Sequence, residues 1–123
     1  MREYGRRTWL IPDAYLGSQS ANDLTTHEAI CVINTGEADA AISLTLFFED
    51  RSPLTGFSAV CAAGRTNHIR LDKIRSESGD GIPYDTPYAI LLESTAPVVV
   101  QYSRLDASRA ELALMTTMAY GVE

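Results

Sequence analysis

Ala41-Ile42-Ser43-Leu44-Thr45-Leu46-Phe47-Phe48 alternates two kinds of side chain with a period of two. Ile42, Leu44, Leu46 and Phe48 fall on one side, and Ala41, Ser43, Thr45 and Phe47 on the other. Successive side chains of an extended strand point to opposite faces, so the segment reads as a β-strand with one strongly apolar face. Such a face must be buried against a second layer, and the neighbouring segments decide what that layer is.

Residues 29–33 (Ala-Ile-Cys-Val-Ile) read as a strand, and Asn34-Thr35-Gly36-Glu37-Ala38-Asp39 supplies turn residues, so 29–33 and 41–48 are expected to form a hairpin. Beyond Phe48, Ser52-Pro53 and Gly56 break the chain and residues 57–61 form a short strand. Gly64 then turns into a strand over 66–71, with Ile69 and Leu71 facing one way and His68 and Arg70 the other. Residues 75–87, rich in Gly, Ser, Asp and Pro, form a loop. Residues 88–93 and 97–105 are two further strands joined by Ser94-Thr95-Ala96, and residues 8–11 make the first strand. Many short strands separated by turn residues predict an all-β fold. The expected form is an antiparallel, jelly-roll-like β-sandwich of about eight strands with little helix, in a single domain over residues 1–123.

The C-terminal segment admits two readings. Ser108 with Glu111 three residues on has capping-box spacing, and Ala110, Leu112, Ala113, Leu114 and Met115 favour a helix. As a strand, Leu112, Leu114, Thr116, Met118 and Tyr120 share one face.

With 123 residues, of which 46% are hydrophobic, the chain is long enough for one core and too short for two. Its formal charge of -6 opposes wholesale binding to nucleic acid or anionic membranes, so only a local basic patch could serve that role. Arg6-Arg7-Thr8-Trp9-Leu10-Ile11 begins like a twin-arginine signal, but Pro12 and Asp13 end the apolar run too early. No run approaches the ~20 apolar residues that span a bilayer, so a cytoplasmic protein is expected, with any membrane connection made through a partner. Cys31 and Cys61 both lie in apolar runs and are expected as buried thiols.

The stretch Pro97-Val98-Val99-Val100-Gln101-Tyr102-Ser103-Arg104-Leu105-Asp106-Ala107-Ser108-Arg109-Ala110-Glu111 carries an apolar strand into a dense polar cluster. Val98, Val100, Tyr102 and Arg104 share one face, so Arg104 and, across the strand, Gln101 need hydrogen-bond partners. Arg104, Asp106, Arg109 and Glu111 alternate in sign and read as a pinned turn and subunit contact, with Arg104 paired to Asp106 or Glu111. Arg65, His68, Arg70, Lys73 and Arg75 form a basic run, either a solvated face or an anion-binding surface. His27 and His68 fall in no metal-binding spacing, no serine sits in a nucleophile elbow, and Gly79-Asp80-Gly81 lacks the context of a phosphate cradle. The sequence therefore predicts no catalysis, no metal and no cofactor. A polar, partly aromatic cleft of Trp9, Glu28, Arg65, His68, Gln101 and Arg104 would suit a carbohydrate or small-ligand module. A DNA-binding regulator would instead use Arg65, Arg70 and Lys73.

His27-Glu28-Ala29-Ile30-Cys31-Val32-Ile33-Asn34-Thr35-Gly36, Gly64-Arg65-Thr66-Asn67-His68-Ile69-Arg70, Ile82-Pro83-Tyr84-Asp85-Thr86, the stretch from Pro97 and the segment 114–120 occur in collinear order. In these motifs the chain resembles the sensory rhodopsin transducer family of small bacterial proteins. The resemblance implies a soluble cytoplasmic β-sandwich with a final C-terminal strand. It further implies a homotetramer that docks a membrane sensory rhodopsin or another protein, relays a signal without catalysis, and has been linked to carbohydrate-like folds and to DNA.

Overall fold

The computed structural model describes residues 2–21 and 23–123. Eight strands follow one another: β1 (Arg6–Tyr15), β2 (His27–Asn34), β3 (Ala40–Phe48), β4 (Leu54–Cys61), β5 (Arg65–Arg70), β6 (Pro87–Asp106), β7 (Ala113–Met118) and β8 (Tyr120–Val122). All pairings are antiparallel. The first half of β6 lies in a sheet ordered β4-β3-β6-β1-β8, and its second half pairs with β2 and β7, with β5 beyond β2. The eight strands thus make one sheet folded at β6 into two leaves, a β-sandwich, and no helix occurs among the described residues.

The predicted pair of strands at 88–93 and 97–105 is a single strand of 20 residues. Ser94-Thr95-Ala96-Pro97 bends it without breaking it: Thr8 of β1 faces Glu93, whereas Arg6 already faces Val98. The corner is held by side chains, since the Ser94 hydroxyl donates to the Ala96 carbonyl at 2.7 Å and Thr95 Oγ1 accepts the Ala41 amide at 2.9 Å. A strand that crosses from one leaf to the other is a usual way for a sandwich to turn a corner. Parity survives the bend, so Tyr88, Ile90, Leu92, Ala96, Val98, Val100 and Tyr102 all point into the core.

The expected hairpin between 29–33 and 41–48 does not form. β2 pairs with β5 and β6, and β3 with β4 and β6, so the turn after Asn34 carries the chain from one leaf to the other. Asn34 is buried; its side-chain amide donates to the Ala38 and Cys61 carbonyls and its Oδ1 accepts the Gly36 amide, folding the turn over the core instead of into a tight two-residue loop. Two expected breaks are bulges within strands. Gly56 at φ +89° lies inside β4 opposite a register shift of β3, and Pro12-Asp13 bulge inside β1 where β8 no longer pairs with it. The C-terminal segment is a strand, as the resemblance implied. Ile42, Leu44 and Leu46 of β3 meet Ile30 and Val32 of β2, Phe57 of β4 and Ile69 of β5 in the core, and the loop after β5 adds Leu71 and Ile82.

Candidate functional site

Glu28 and Arg104 are direct cross-strand partners on β2 and β6, and their side chains share the inward face near one end of the sandwich. Glu28 is 1% exposed. Its Oε1 accepts the Tyr88 hydroxyl at 2.6 Å and its Oε2 accepts the Tyr15 amide at 2.8 Å, so one carboxylate joins β2 to β1 and to both ends of β6. Arg104 Nε lies 3.6 Å from Glu28 Oε2 and donates to the Tyr102 hydroxyl at 3.1 Å. Arg104 Nη2 is buried without a hydrogen-bond partner, with the exposed Asp13 carboxylate 3.9 Å away. Arg104 therefore reaches across strands to Glu28 and not to Asp106 or Glu111, because its parity aims it inward while those carboxylates sit in the following turn. Asp106 instead accepts the Ser108 amide at 2.9 Å.

Burial pushes the Glu28 carboxyl above the ordinary carboxylate range; the Tyr88 hydrogen bond, the Tyr15 amide and Arg104 oppose the shift without cancelling it. Burial, and then the adjacent Glu28 charge, hold the Tyr88 phenol far above its ordinary value. Asp106 is held low by Ser108, with Arg109 and Arg104 assisting, and Asp85 is held low by Ser18.

Beside this network opens a cleft of about 240 Å³, lined by Tyr15, Gly17, Ser18, Gln19, Thr26, Asp85, Arg104, Asp106 and Ser108. The walls are fixed by local bonds. Ser18 donates through both its amide and its hydroxyl to Asp85, whose φ of 54° places it in the left-handed region. Thr26 Oγ1 donates to the Gln19 carbonyl and accepts the Ala107 amide, tying the loop after β1 to the end of β6. The cleft can offer hydroxyls, carboxylates and one guanidinium to a small polar molecule.

The other predicted site residues lie elsewhere. Trp9 is in the core, its indole N–H shared between the Arg6 carbonyl at 3.0 Å and the Val98 carbonyl at 3.1 Å, so its ring is no open stacking platform. His68 and Gln101 sit on the outer face of their leaf on either side of Cys31, their common register partner. Cys31 is consequently half-buried, unlike the buried Cys61, because its odd position on β2 points outward. Arg65 opens β5 and bonds backbone carbonyls of its own turn. Arg70 forms a two-point ion pair with Asp72 at 2.8 and 2.9 Å, which takes its charge out of the basic run. Asp106 ends β6 and Arg109 lies in the turn before β7. From the sequence Tyr15 reads only as a ring that, with Trp9, could stack on a sugar, Tyr102 only as a member of the inward face of its strand, and Tyr88 and Asp13 carry no site reading; the inward parity of Tyr88 and Tyr102, deep in apolar runs, is the signal that marks hydroxyls in need of partners.

The family model of the Anabaena sensory rhodopsin transducer matches residues 4–121. The chain belongs to the sensory rhodopsin transducer family. Among solved structures, the crystal structure of Thermotoga maritima 1070 is similar at 39% identity and a TM-score of 0.86, over 97% of each chain. The Anabaena sensory rhodopsin transducer is similar at 28% identity and a TM-score of 0.74, covering 83% of this chain and 99% of its own. No curated protein sequence matches. No helix among the described residues of this transducer relative is long and apolar enough to cross a membrane.

The network makes stability depend on pH with a definite sign. Glu28, raised in the fold above its ordinary 4.5, contributes stability that is full below that value and is lost as pH rises through the folded value. Asp72, Asp85 and Asp106 lie below their ordinary 3.8, so they contribute stability above that value that is lost as pH falls through their folded values. In urea unfolding, the native chain should therefore gain more stability between pH 7 and 4.5 than Glu28→Gln does. Equal gains in the two proteins would contradict the assignment.

Proposed function

We propose that the chain is a non-enzymatic, cytoplasmic signalling adaptor that assembles as a homotetramer and docks a membrane sensory rhodopsin or another protein partner. Family membership supports the signalling role, and one observation carries the adaptor reading: apolar side chains are exposed in two separate places. On the outer face of the β1-containing leaf, the exposed Tyr120 and Leu10 lie in register across β8 and β1, next to the half-buried Leu91 of β6, with the exposed Phe47 on β3 beside them. On the other leaf, every residue of β7 is exposed, Leu114 at 72% and Met118 at 57%. Contiguous exposed apolar patches mark interaction sites, and an adaptor needs one surface for assembly and one for its partner.

The test is titration of the chain onto a microbial sensory rhodopsin held in lipid nanodiscs. Saturable binding that the double substitution Leu10→Ser and Tyr120→Ser weakens at least about tenfold, a loss of about 1.4 kcal/mol, is the expected result. No binding contradicts the rhodopsin as partner, and binding that ignores the substitutions contradicts this docking face.

A second reading rests on the unpartnered Arg104 Nη2 beside the polar cleft: a small-ligand or carbohydrate module, with Arg104, Asp106, Ser18 and Asp85 contacting the ligand. A bound mass that co-purifies with the native chain and is lost in Asp85→Ala would favour it.

A further inference from the structure

Arginines of this chain meet carboxylates in different ways. Arg51 grips Asp50 with two donors, at 2.9 and 3.4 Å, and Arg70 grips Asp72 likewise, at 2.8 and 2.9 Å. A guanidinium fork suits such a two-point bond. Among the described residues no carboxylate gives one to Arg104, which lines the cleft at the end of β6. Its Nε donates to the uncharged Tyr102 hydroxyl, Glu28 stands off at 3.6 Å and Asp13 at 3.9 Å, and Nη2 has no partner. Both Glu28 oxygens are already taken, by the Tyr88 hydroxyl and the Tyr15 amide, and Glu28 does not line the cleft. Enclosed donors are rarely left unpaired, so this guanidinium suits a carboxylate that the chain itself does not supply.

The other charges of the cleft have the opposite sign. Asp85 and Asp106 stand in its wall, and Ser18 and Ser108 hold their carboxyls below the ordinary range, so both are ionised at neutral pH. Asp85 is tightly fixed: its amide donates to the Leu16 carbonyl at 2.8 Å and its carboxylate accepts the Ser18 amide and hydroxyl. Among the described residues it is also the one non-glycine with a left-handed backbone, at φ 54°. Strained backbone held by several bonds is common at ligand clamps. The aspartates repel a simple anion and Arg104 repels a simple cation, so the walls select a molecule that carries both charges. The volume of about 240 Å³ is below that of sites for drug-sized ligands, and Thr26, Ser108 and Gln19 add hydroxyls and an amide.

We propose that the cleft binds a free α-amino acid with a small, uncharged polar side chain, its carboxylate on Arg104 and its ammonium between Asp85 and Asp106. This rests on the second reading above, the small-ligand cleft, and names the ligand. An α-amino acid carries its two charges on neighbouring atoms of one short frame, so a cleft of this size meets both at once. Arg104 Nη2 is enclosed, and the carboxylate reaches it by a small swing of the guanidinium toward the cleft, which breaks no hydrogen bond to a carboxylate. A neutral sugar fits less well, because it brings no counter-charge to the two aspartates or to the arginine fork.

L-Serine is the probe, titrated onto the full chain at neutral pH and followed by the amide chemical shifts of Ser18, Gln19 and Ser108 in heteronuclear NMR. Saturable shifts with half-saturation at or below about 1 mM are the expected result. Ethanolamine lacks the carboxylate and glycerate lacks the ammonium, so each should bind at least about tenfold more weakly. Asp106→Asn keeps an acceptor for Ser108, and Asp85→Asn tolerates the left-handed backbone, so both should fold and lose at least about fivefold in affinity for L-serine. Arg104→Lys keeps the charge without the fork and should lose about tenfold; if it does not fold, the aspartate variants decide. L-Serine that binds no better than either control, or equally well to the native chain and both aspartate variants, overturns the amino-acid assignment. D-Glucose shifting these amides where L-serine does not overturns that assignment and leaves the small-ligand cleft standing. No shift with either compound at about 20 mM overturns both.

Discussion

Trp9→Ala is expected to lose about 3–5 kcal/mol of folding free energy, enough to unfold a domain of ordinary stability. The indole is buried between the leaf and the corner of β6, and its N–H is the donor that holds both the Arg6 and Val98 carbonyls at the point where β1 and β6 fall out of simple register. Trp9→Phe keeps most of the apolar burial and loses that donor, so it should cost only about 1–3 kcal/mol. Urea unfolding followed by circular dichroism reads both. If Trp9→Ala kept native stability and lost affinity for a ligand instead, the ring would be a binding platform and its place in the core would be wrong.

Glu28→Ala should be nearly as damaging, about 3–5 kcal/mol, because it removes one half of a buried ion pair and leaves its partners behind. Arg104 would lose its nearest counter-charge, the Tyr88 hydroxyl its acceptor, and the Tyr15 amide its bond at the end of β1. Arg104→Ala alone strands the Glu28 carboxylate in the same way, though Tyr88 and Tyr15 still hold it. The double substitution Glu28→Ala with Arg104→Ala should therefore cost clearly less than the two single losses added together, the mark of a coupled pair. Additive losses in a double-mutant cycle would contradict the direct pairing. Arg70→Ala, by contrast, removes the partly exposed half of a two-point ion pair and leaves the enclosed Asp72 carboxylate near solvent, so it should cost less than the Glu28 loss, about 1–2 kcal/mol.

The alternating pattern makes most of the fold legible in the sequence. The inward set Ile42, Leu44 and Leu46, the opposed faces of Ile69 and His68, and the shared face of Val98 to Arg104 are all found in the structure, because side-chain parity is a local property of an extended chain. What parity does not carry is which strand lies beside which. The turn after Asn34 contains the residues of a hairpin, yet nothing local reveals that the buried Asn34 amide folds it over the core and sends β3 into the other leaf. Pro97 with Ser94-Thr95 reads as an interruption, yet side-chain bonds of Ser94, Thr95 and Trp9 hold β6 through its corner.

The site divides the same way. The sequence marks Arg104 as needing a partner, and nearness along the chain points to Asp106 or Glu111. The true partner, Glu28, lies 76 positions earlier and becomes adjacent only through the pairing of β2 with β6. The sequence thus marks Glu28 and Arg104 each as a site residue and carries no sign of the bond between them. The scatter of Trp9, His68, Gln101 and Arg65 over the core and an outer face has the same origin: residue type indicates what a side chain can do, and topology determines which others it meets.

Native mass spectrometry of the full chain, purified without added ligand, tests the adaptor account most directly, because it reads subunit number and bound mass together. The account predicts an assembly of four times the 13.4 kDa chain with no added mass. A 13.4 kDa monomer, or subunits each carrying a small molecule, would contradict it and transfer the function to the cleft beside Arg104.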